Sequence, residues 1–182
     1  MKKGLVLLTN GFEDTEGIGT IDILKRAGLE LDIVSVTSEL EITTQYKNVL
    51  KLSKTLRECD LSNYDFLFIP GGGAVKNSLV NSEYVYNTIR EFAKNGRLIC
   101  TICAAPMLVG KLGLFENRKF TCYPGCEEGI LGKYTKEGVQ VSDNYITGKS
   151  MAYSIDFGLE IVKYLLGKET YNKVKQSVYA TY

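Results

Sequence analysis

The chain reads as an α/β protein built on a mostly parallel sheet with helices on both faces. Three observations predict this. Short apolar runs (Gly4–Leu8, Phe66–Ile69, Leu98–Ile102) stop at turn residues or at a small-residue segment, as strands buried on both faces do. Segments with apolar residues at helical spacing lie between them. The 182 residues, 45% apolar and 24% charged, suffice for one domain with a full core over 1–182.

The elements follow in order. Gly4–Leu8 is a buried strand ended by Thr9-Asn10-Gly11. Thr15–Ala27 is helical, with Ile18, Ile21 and Leu24 on one side and Gly28 as its C-terminal cap. Leu31–Val36 is a second strand, and Glu39–Leu56 a peripheral hairpin. Phe66–Ile69 is a strand stopped by Pro70-Gly71-Gly72-Gly73. Val85–Ala93 is a helix, Leu98–Ile102 a strand, and Ala104–Leu112 a helix. Short polar and extended pieces run to about Thr147. Met151–Leu166 is an amphipathic helix with Ile155, Leu159, Val162 and Leu166 in one stripe. A last helix or tail begins at Glu169, and its tyrosines (Tyr171, Tyr179, Tyr182) belong to a surface or an interface. No linker, repeat or low-complexity run interrupts the chain.

Composition narrows the function. A net charge of +1 with scattered lysines offers nucleic acid or an acidic membrane no electrostatic footing. No stretch approaches the length of a transmembrane helix, and Gly4–Leu8 is too short for a signal-peptide core, so the expected location is cytoplasmic. Five cysteines, an odd number, fit free thiols in a reducing compartment. Histidine is absent, which excludes Ser-His and Cys-His dyads within one chain and every His-bearing metal site. Any general acid or base must be Asp, Glu, Lys, Tyr or Cys.

In parallel sheets ligands bind beyond the carboxyl ends of the strands. Three loops qualify: Thr9–Glu16, Pro70–Ala74 and Cys103–Pro106. Cys103 falls where its strand ends. Ala104 and Ala105 suit a tight, strained turn, and Pro106 the first turn of a helix. That is a nucleophile elbow without the usual glycines. A thiol there feels the positive end of the helix, which favours thiolate. The segment alone equally allows a buried structural cysteine. Glu13, Asp14 and Glu16 complement a helix dipole, but Gly17 and Gly19 inside the same helix call for a close approach of backbone or ligand. The glycines after Pro70 either free N–H groups for an oxyanion or form a plain turn.

Taken together, Glu16 in the first helix, Pro70-Gly71-Gly72 after a strand and Ile102-Cys103-Ala104-Ala105-Pro106 in an elbow resemble the ThiJ/PfpI superfamily, in particular its DJ-one branch. Arg26-Ala27-Gly28, Thr121-Cys122-Tyr123-Pro124-Gly125 and Ile155-Asp156-Phe157 extend the resemblance over nearly the whole chain, and Cys-Tyr-Pro-Gly looks like a bacterial variant. The resemblance implies a flavodoxin-like three-layer α/β/α sandwich, usually homodimeric and without cofactor or metal. It also implies a reactive Cys103 hydrogen-bonded to a protonated Glu16, and oxyanion-hole amides from Gly72 and Ala104. Tyr123 and Cys122 are candidate pocket residues. Ala104 stands where the protease-like branch has histidine, which speaks against a Cys protease. Tyr123 stands where many relatives have histidine, and a phenol ionising near pH 10 is a poor base near neutrality. Gly148-Lys149-Ser150-Met151 replaces the family's Gly-Pro-Gly-Thr on the far wall.

The activity implied is attack of the Cys103 thiolate on a small aldehyde such as methylglyoxal, or on its adducts, giving a hydroxy acid in the manner of a glyoxalase III or a deglycase. The rival is an oxidative-stress sensor or redox chaperone working through oxidation of Cys103, with Cys122 or Cys126 as a resolving thiol or as plain packing. A thiazole or thiamine biosynthesis role has no mechanistic support in these residues. Two further patterns lead nowhere. Gly148-Lys149-Ser150 lacks the first glycine of a phosphate loop, Asp143 standing there. Cys100 and Cys103, with Cys122 and Cys126, approach zinc-site spacing, but Cys100 lies on a strand and its side chain should point away from Cys103.

Overall fold

A computed structural model describes residues 1–178; Tyr179 and Tyr182 lie outside the described residues. Along the chain the elements are β1 (Lys3–Leu8), α1 (Thr20–Arg26), β2 (Glu30–Ser35), β3 (Glu41–Thr43), β4 (Val49–Lys51), β5 (Phe66–Ile69), α2 (Gly73–Asn77), α3 (Glu83–Lys94), β6 (Leu98–Ile102), α4 (Pro106–Gly110), β7 (Lys119–Phe120), β8 (Lys133–Tyr134), β9 (Val139–Ser142), β10 (Tyr145–Gly148) and α5 (Ser154–Ser177). Among the described residues a six-stranded sheet has the order β2-β1-β5-β6-β10-β9. It is parallel except for β9, which runs antiparallel to β10. The expected hairpin is β3 and β4, a separate two-stranded piece.

Strand alternation divides the core into two layers. Leu5, Leu7, Leu67, Ile69 and Ile99 face α3 and α4, where Val85, Ile89, Phe92, Leu108 and Val109 are buried. Val6, Leu8, Phe66, Phe68, Cys100, Ile102 and Ile146 face α1 and α5, where Ile23, Leu24, Phe157, Ile161 and Val162 are buried. The result is the flavodoxin-like α/β/α sandwich that the strand–helix alternation and the resemblance both predict. No helix among the described residues is long and apolar enough to cross a membrane.

Four local expectations shift. The Thr15–Ala27 helix begins as a π-helical turn, Thr15–Gly19, before α1 proper. The Ala104–Leu112 helix contracts to α4, and the chain continues through turns to Gly113, whose φ of +72° ends any helix. The buried stripe of α5 centres on Phe157, Gly158 and Ile161, while Ile155 and Leu166 are only partly buried. A Cβ on Gly158 would come within 2.9 Å of Ile23 Cβ, so this glycine lets α5 lie against α1. Gly167 (φ +82°) breaks α5, separating the two helical stretches read from the sequence. The largest omission is β10. It is fully buried and pairs in parallel with β6, Tyr145 opposite Ile99, a partnership made across 46 residues that no local pattern announces.

Candidate active site

Because β1, β5 and β6 are neighbours in one parallel register, their carboxyl ends converge. The three loops singled out from the sequence therefore meet. An antiparallel bridge between Phe12 and Gly72 ties the first to the second. The Glu13 N–H donates to Gly71 O at 3.1 Å and the Ala74 N–H to Gly11 O at 3.0 Å.

The elbow is visible in the backbone. Cys103 has φ +63°, a left-handed conformation that strains any residue with a Cβ, at about 1–3 kcal/mol. It is held there from several sides. Its N–H donates to Gly148 O on β10 at 2.9 Å, and its carbonyl accepts from the Tyr123 N–H at 2.8 Å. The Ala105 N–H closes the turn onto Ile102 O at 3.0 Å, and Pro106 opens α4. The reversal leaves the Ala104 N–H free to meet the Cys103 sulfur, which also receives the Gly72 N–H. α4 is a single short turn, so these two aimed amides, rather than a long helix dipole, polarise the sulfur. Cys100 is fully buried in the α1/α5 core, against which Cys103 also packs.

Glu16 reaches Cys103 because of the π-helical turn. Widening that turn carries the Glu16 side chain inward, where it is 1% exposed. Gly17 makes this possible, since a Cβ there would sit 2.4 Å from the fully buried Phe12 ring. Gly17→Ala is accordingly expected to lower stability by about 1–3 kcal/mol, which a urea midpoint measures. The Glu16 carboxylate oxygen Oε2 accepts the Gly71 N–H at 2.9 Å, and its carboxyl is hydrogen-bonded with the Cys103 thiol. Glu13, also buried, accepts the Glu16 N–H on its own carboxylate at 2.7 Å. Gly71 is the contact point of the pair: a Cβ on it would meet Glu16 Oε2 at 2.6 Å and Cys103 Cβ at 2.7 Å.

Burial raises the Glu16 carboxyl from 4.5 to about 7, helped by the nearby Glu13 charge and opposed by the bonds from Cys103 and Gly71. Burial and the Glu16 charge push the Cys103 thiol up, against the pull of the Gly72 and Ala104 amides. The two residues thus titrate as one unit. Once the pair has lost a single proton, the remaining one sits either on sulfur or on carboxyl. The second arrangement is a thiolate facing a glutamic acid, with two N–H groups on the sulfur.

This site opens into a cavity of about 610 Å³. Tyr123, half exposed, lines it. Cys122 does not: its side chain turns into the core beneath α4 and is fully buried, while Cys126 takes a place on the wall. Ser150 and Met151, from the segment that departs from the family's Gly-Pro-Gly-Thr, also line the cavity. Gln45, Tyr46 and Lys76 also line the cavity, and sequence reasoning missed them. The hairpin tip carrying Gln45 and Tyr46 is docked from a distance. Asp14 accepts from the Thr44 hydroxyl and the Asn48 amide, each at 2.6 Å, and from the Tyr46 N–H at 3.1 Å. The Gln45 side chain accepts the Gly73 N–H at 2.8 Å. Nothing local in a polar hairpin marks it as pocket wall.

A flavodoxin-like sandwich with a strained cysteine elbow, a buried carboxyl against its thiol and two amides on its sulfur defines a class of α/β proteins centred on one cysteine. The chain belongs to the DJ-1/PfpI family, whose model matches residues 2–164. It is 27% identical to protein dj-1beta of Drosophila melanogaster over 184 residues, covering all of this chain and 98% of that one. It is 30% identical to DJ-1 homolog B of Arabidopsis thaliana over 91% of this chain, which spans only 38% of that longer protein. Among solved structures, a cysteine-to-alanine mutant of a DJ-1 superfamily protein from Salmonella typhimurium superposes with a TM-score of 0.92 at 27% identity, covering 98% of each chain. Toxoplasma gondii DJ-1 in an oxidized form superposes with a TM-score of 0.93 at 26% identity over the full length of both.

Proposed function

We propose that the protein is a cysteine-dependent enzyme acting on small α-oxoaldehydes such as methylglyoxal, or on their adducts, and that it releases a hydroxy acid. The observation that carries this reading is the hydrogen-bonded Glu16–Cys103 pair in a chain without histidine. The carboxylate takes the thiol proton, and the sulfur adds to the aldehyde carbon. The carbonyl oxygen becomes an alkoxide facing the Gly72 and Ala104 N–H groups. Glu16 returns its proton to that oxygen and, again a carboxylate, carries the hydrogen of the former aldehyde carbon as a proton to the adjacent ketone carbon, while the hydroxyl proton passes to the ketone oxygen. The first carbon is thereby oxidised to a thioester and the second reduced to an alcohol, so no external oxidant enters. Water cleaves the thioester, freeing the hydroxy acid and restoring the thiol. Attack on an amine-bound or thiol-bound adduct is the deglycase version of the same step. Purified protein is expected to convert methylglyoxal to lactate, and Cys103→Ser to lose that conversion. Turnover by the wild type no faster than by Cys103→Ser sinks the reading.

A second reading has its own support. The same two amides and the Glu16 acid could hold the oxygens of a Cys103 sulfinate, and a similar protein has been solved in an oxidized form. Graded peroxide followed by intact-mass measurement separates the two. Selective gain of two oxygens at Cys103, in a protein without aldehyde turnover, favours a sensor. A cytoplasmic homodimer is part of either reading, and light scattering tests the dimer.

A further inference from the structure

The cavity before Cys103 is larger than a three-carbon aldehyde needs. At about 610 Å³ it falls among sites that enclose ligands of drug size. Its outer wall therefore meets some other part of the substrate. Among the described wall residues, Lys76 on α2 is the one cation. Its ammonium is exposed and makes no ion pair among the described residues. The Cys126 thiol, raised by burial, is drawn back toward thiolate by the Lys76 charge, which outweighs the nearby Glu127 carboxylate, itself held by the Gly125 N–H at 2.6 Å. The Glu16 shift arises from burial, the Cys103 bond, the Glu13 charge and the Gly71 N–H, not from Lys76. Lys76 thus stands at the Cys126 end of the cavity, away from the Glu16 carboxyl.

The two carboxyl groups of the wall are engaged beside Gly71 and Cys103. Glu13 holds the Glu16 N–H, and Glu16 holds the Gly71 N–H and the thiol. A negative group on the ligand is repelled there and attracted at Lys76. Between the two ends, the rings of Tyr46 and Tyr123, 69% and 52% exposed, offer apolar contact to a connecting chain.

We infer that the substrate is an α-oxoaldehyde bearing an anionic group, carboxylate or phosphate, which Lys76 holds while the aldehyde faces Cys103. This rests on the aldehyde reading of the site and makes Lys76 a specificity-determining residue. The test compares methylglyoxal with dioxovalerate, its carboxymethyl-extended analogue. Wild type is expected to favour dioxovalerate in kcat/KM. Lys76→Met should lower that preference about fivefold and Lys76→Glu at least roughly tenfold, mainly through KM, the scale of one exposed charge pair made or reversed. An equal preference in all three proteins overturns the inference and leaves the aldehyde reading standing. A measurement without turnover separates the two: protection of Cys103 from iodoacetamide by succinate, by inorganic phosphate and by neutral succinamide, read by peptide mapping. Protection by an anion that Lys76→Glu abolishes supports the site even where neither aldehyde reacts, and the stronger anion identifies the head group. Protection that survives Lys76→Glu, or that succinamide matches, overturns it.

Discussion

Glu16→Gln is expected to lower aldehyde turnover by about a hundredfold to ten-thousandfold, the usual contribution of a positioned acid–base group. Gln keeps the shape of Glu16 and an oxygen for the Gly71 N–H, but it cannot accept the Cys103 proton. The pH profile should change with it. In the wild type kcat/KM rises as the pair loses its first proton, near the Glu16 value of about 7; the Gln variant lacks that limb. Stability moves in the opposite sense. The folded value of Glu16 lies above its ordinary 4.5, so the native chain binds more protons than the unfolded one between these limits. The corresponding stability is complete below about pH 4.5 and is lost as pH rises through about 7, a difference of about 3 kcal/mol. Glu16→Gln buries no charge, so its advantage over wild type should appear above pH 7. Urea midpoints at pH 5 and pH 8 measure this. Parallel pH dependences in the two proteins would show that Glu16 is not a buried, proton-binding carboxyl.

Gly72→Ala is expected to be far more damaging than the neighbouring Gly73→Ala. Gly72 has φ +90° and ψ −179°, a region that residues with a Cβ scarcely enter. A Cβ there would also lie 2.5 Å from the Glu13 nitrogen and 2.7 Å from the Gly11 oxygen, backbone atoms that cannot swing aside. Strain and overlap together should cost roughly 2–6 kcal/mol. The Phe12–Gly72 bridge would part, and the Gly72 amide would leave the Cys103 sulfur. Gly73→Ala is the internal comparison. Its Cβ would meet only the Asn77 side chain at 3.4 Å and Gln45 at 3.9 Å, so its stability should stay within about 1 kcal/mol of wild type. Thermal unfolding of the two variants side by side checks the contrast. Equal loss in both would mean that the triplet is a plain turn.

Local signals alone establish the parallel scaffold and the place of Cys103 at the end of a central strand. Both follow from local signals: unbroken apolar runs such as Phe66–Ile69 and Leu98–Ile102, and the Ala104-Ala105-Pro106 turn after them. They also bring forward Glu16, through Gly17 and Gly19, whose cost in a helix requires a reason, and the Pro70–Gly73 loop, through its place at the end of a strand. Tertiary structure decided what those residues do. Only the close approach of Phe12 explains Gly17 and the widened turn that buries Glu16. Only the convergence of β1 and β5 separates Gly72, fixed by φ and by backbone contact, from the neighbouring Gly73. The same distinction sends Cys122 into the core and Cys126 to the wall, and brings Gln45, Tyr46 and Lys76 to the pocket from segments that carry no local mark. Hydrophobic runs and turn residues act over a few neighbours. Desolvation, a shared proton and a shaped cavity arise from atoms far apart in the chain, and they exist only once the sheet has formed. For Cys103 the local pattern left nucleophile and core residue equally open, and the buried carboxyl folded against it favours the nucleophile.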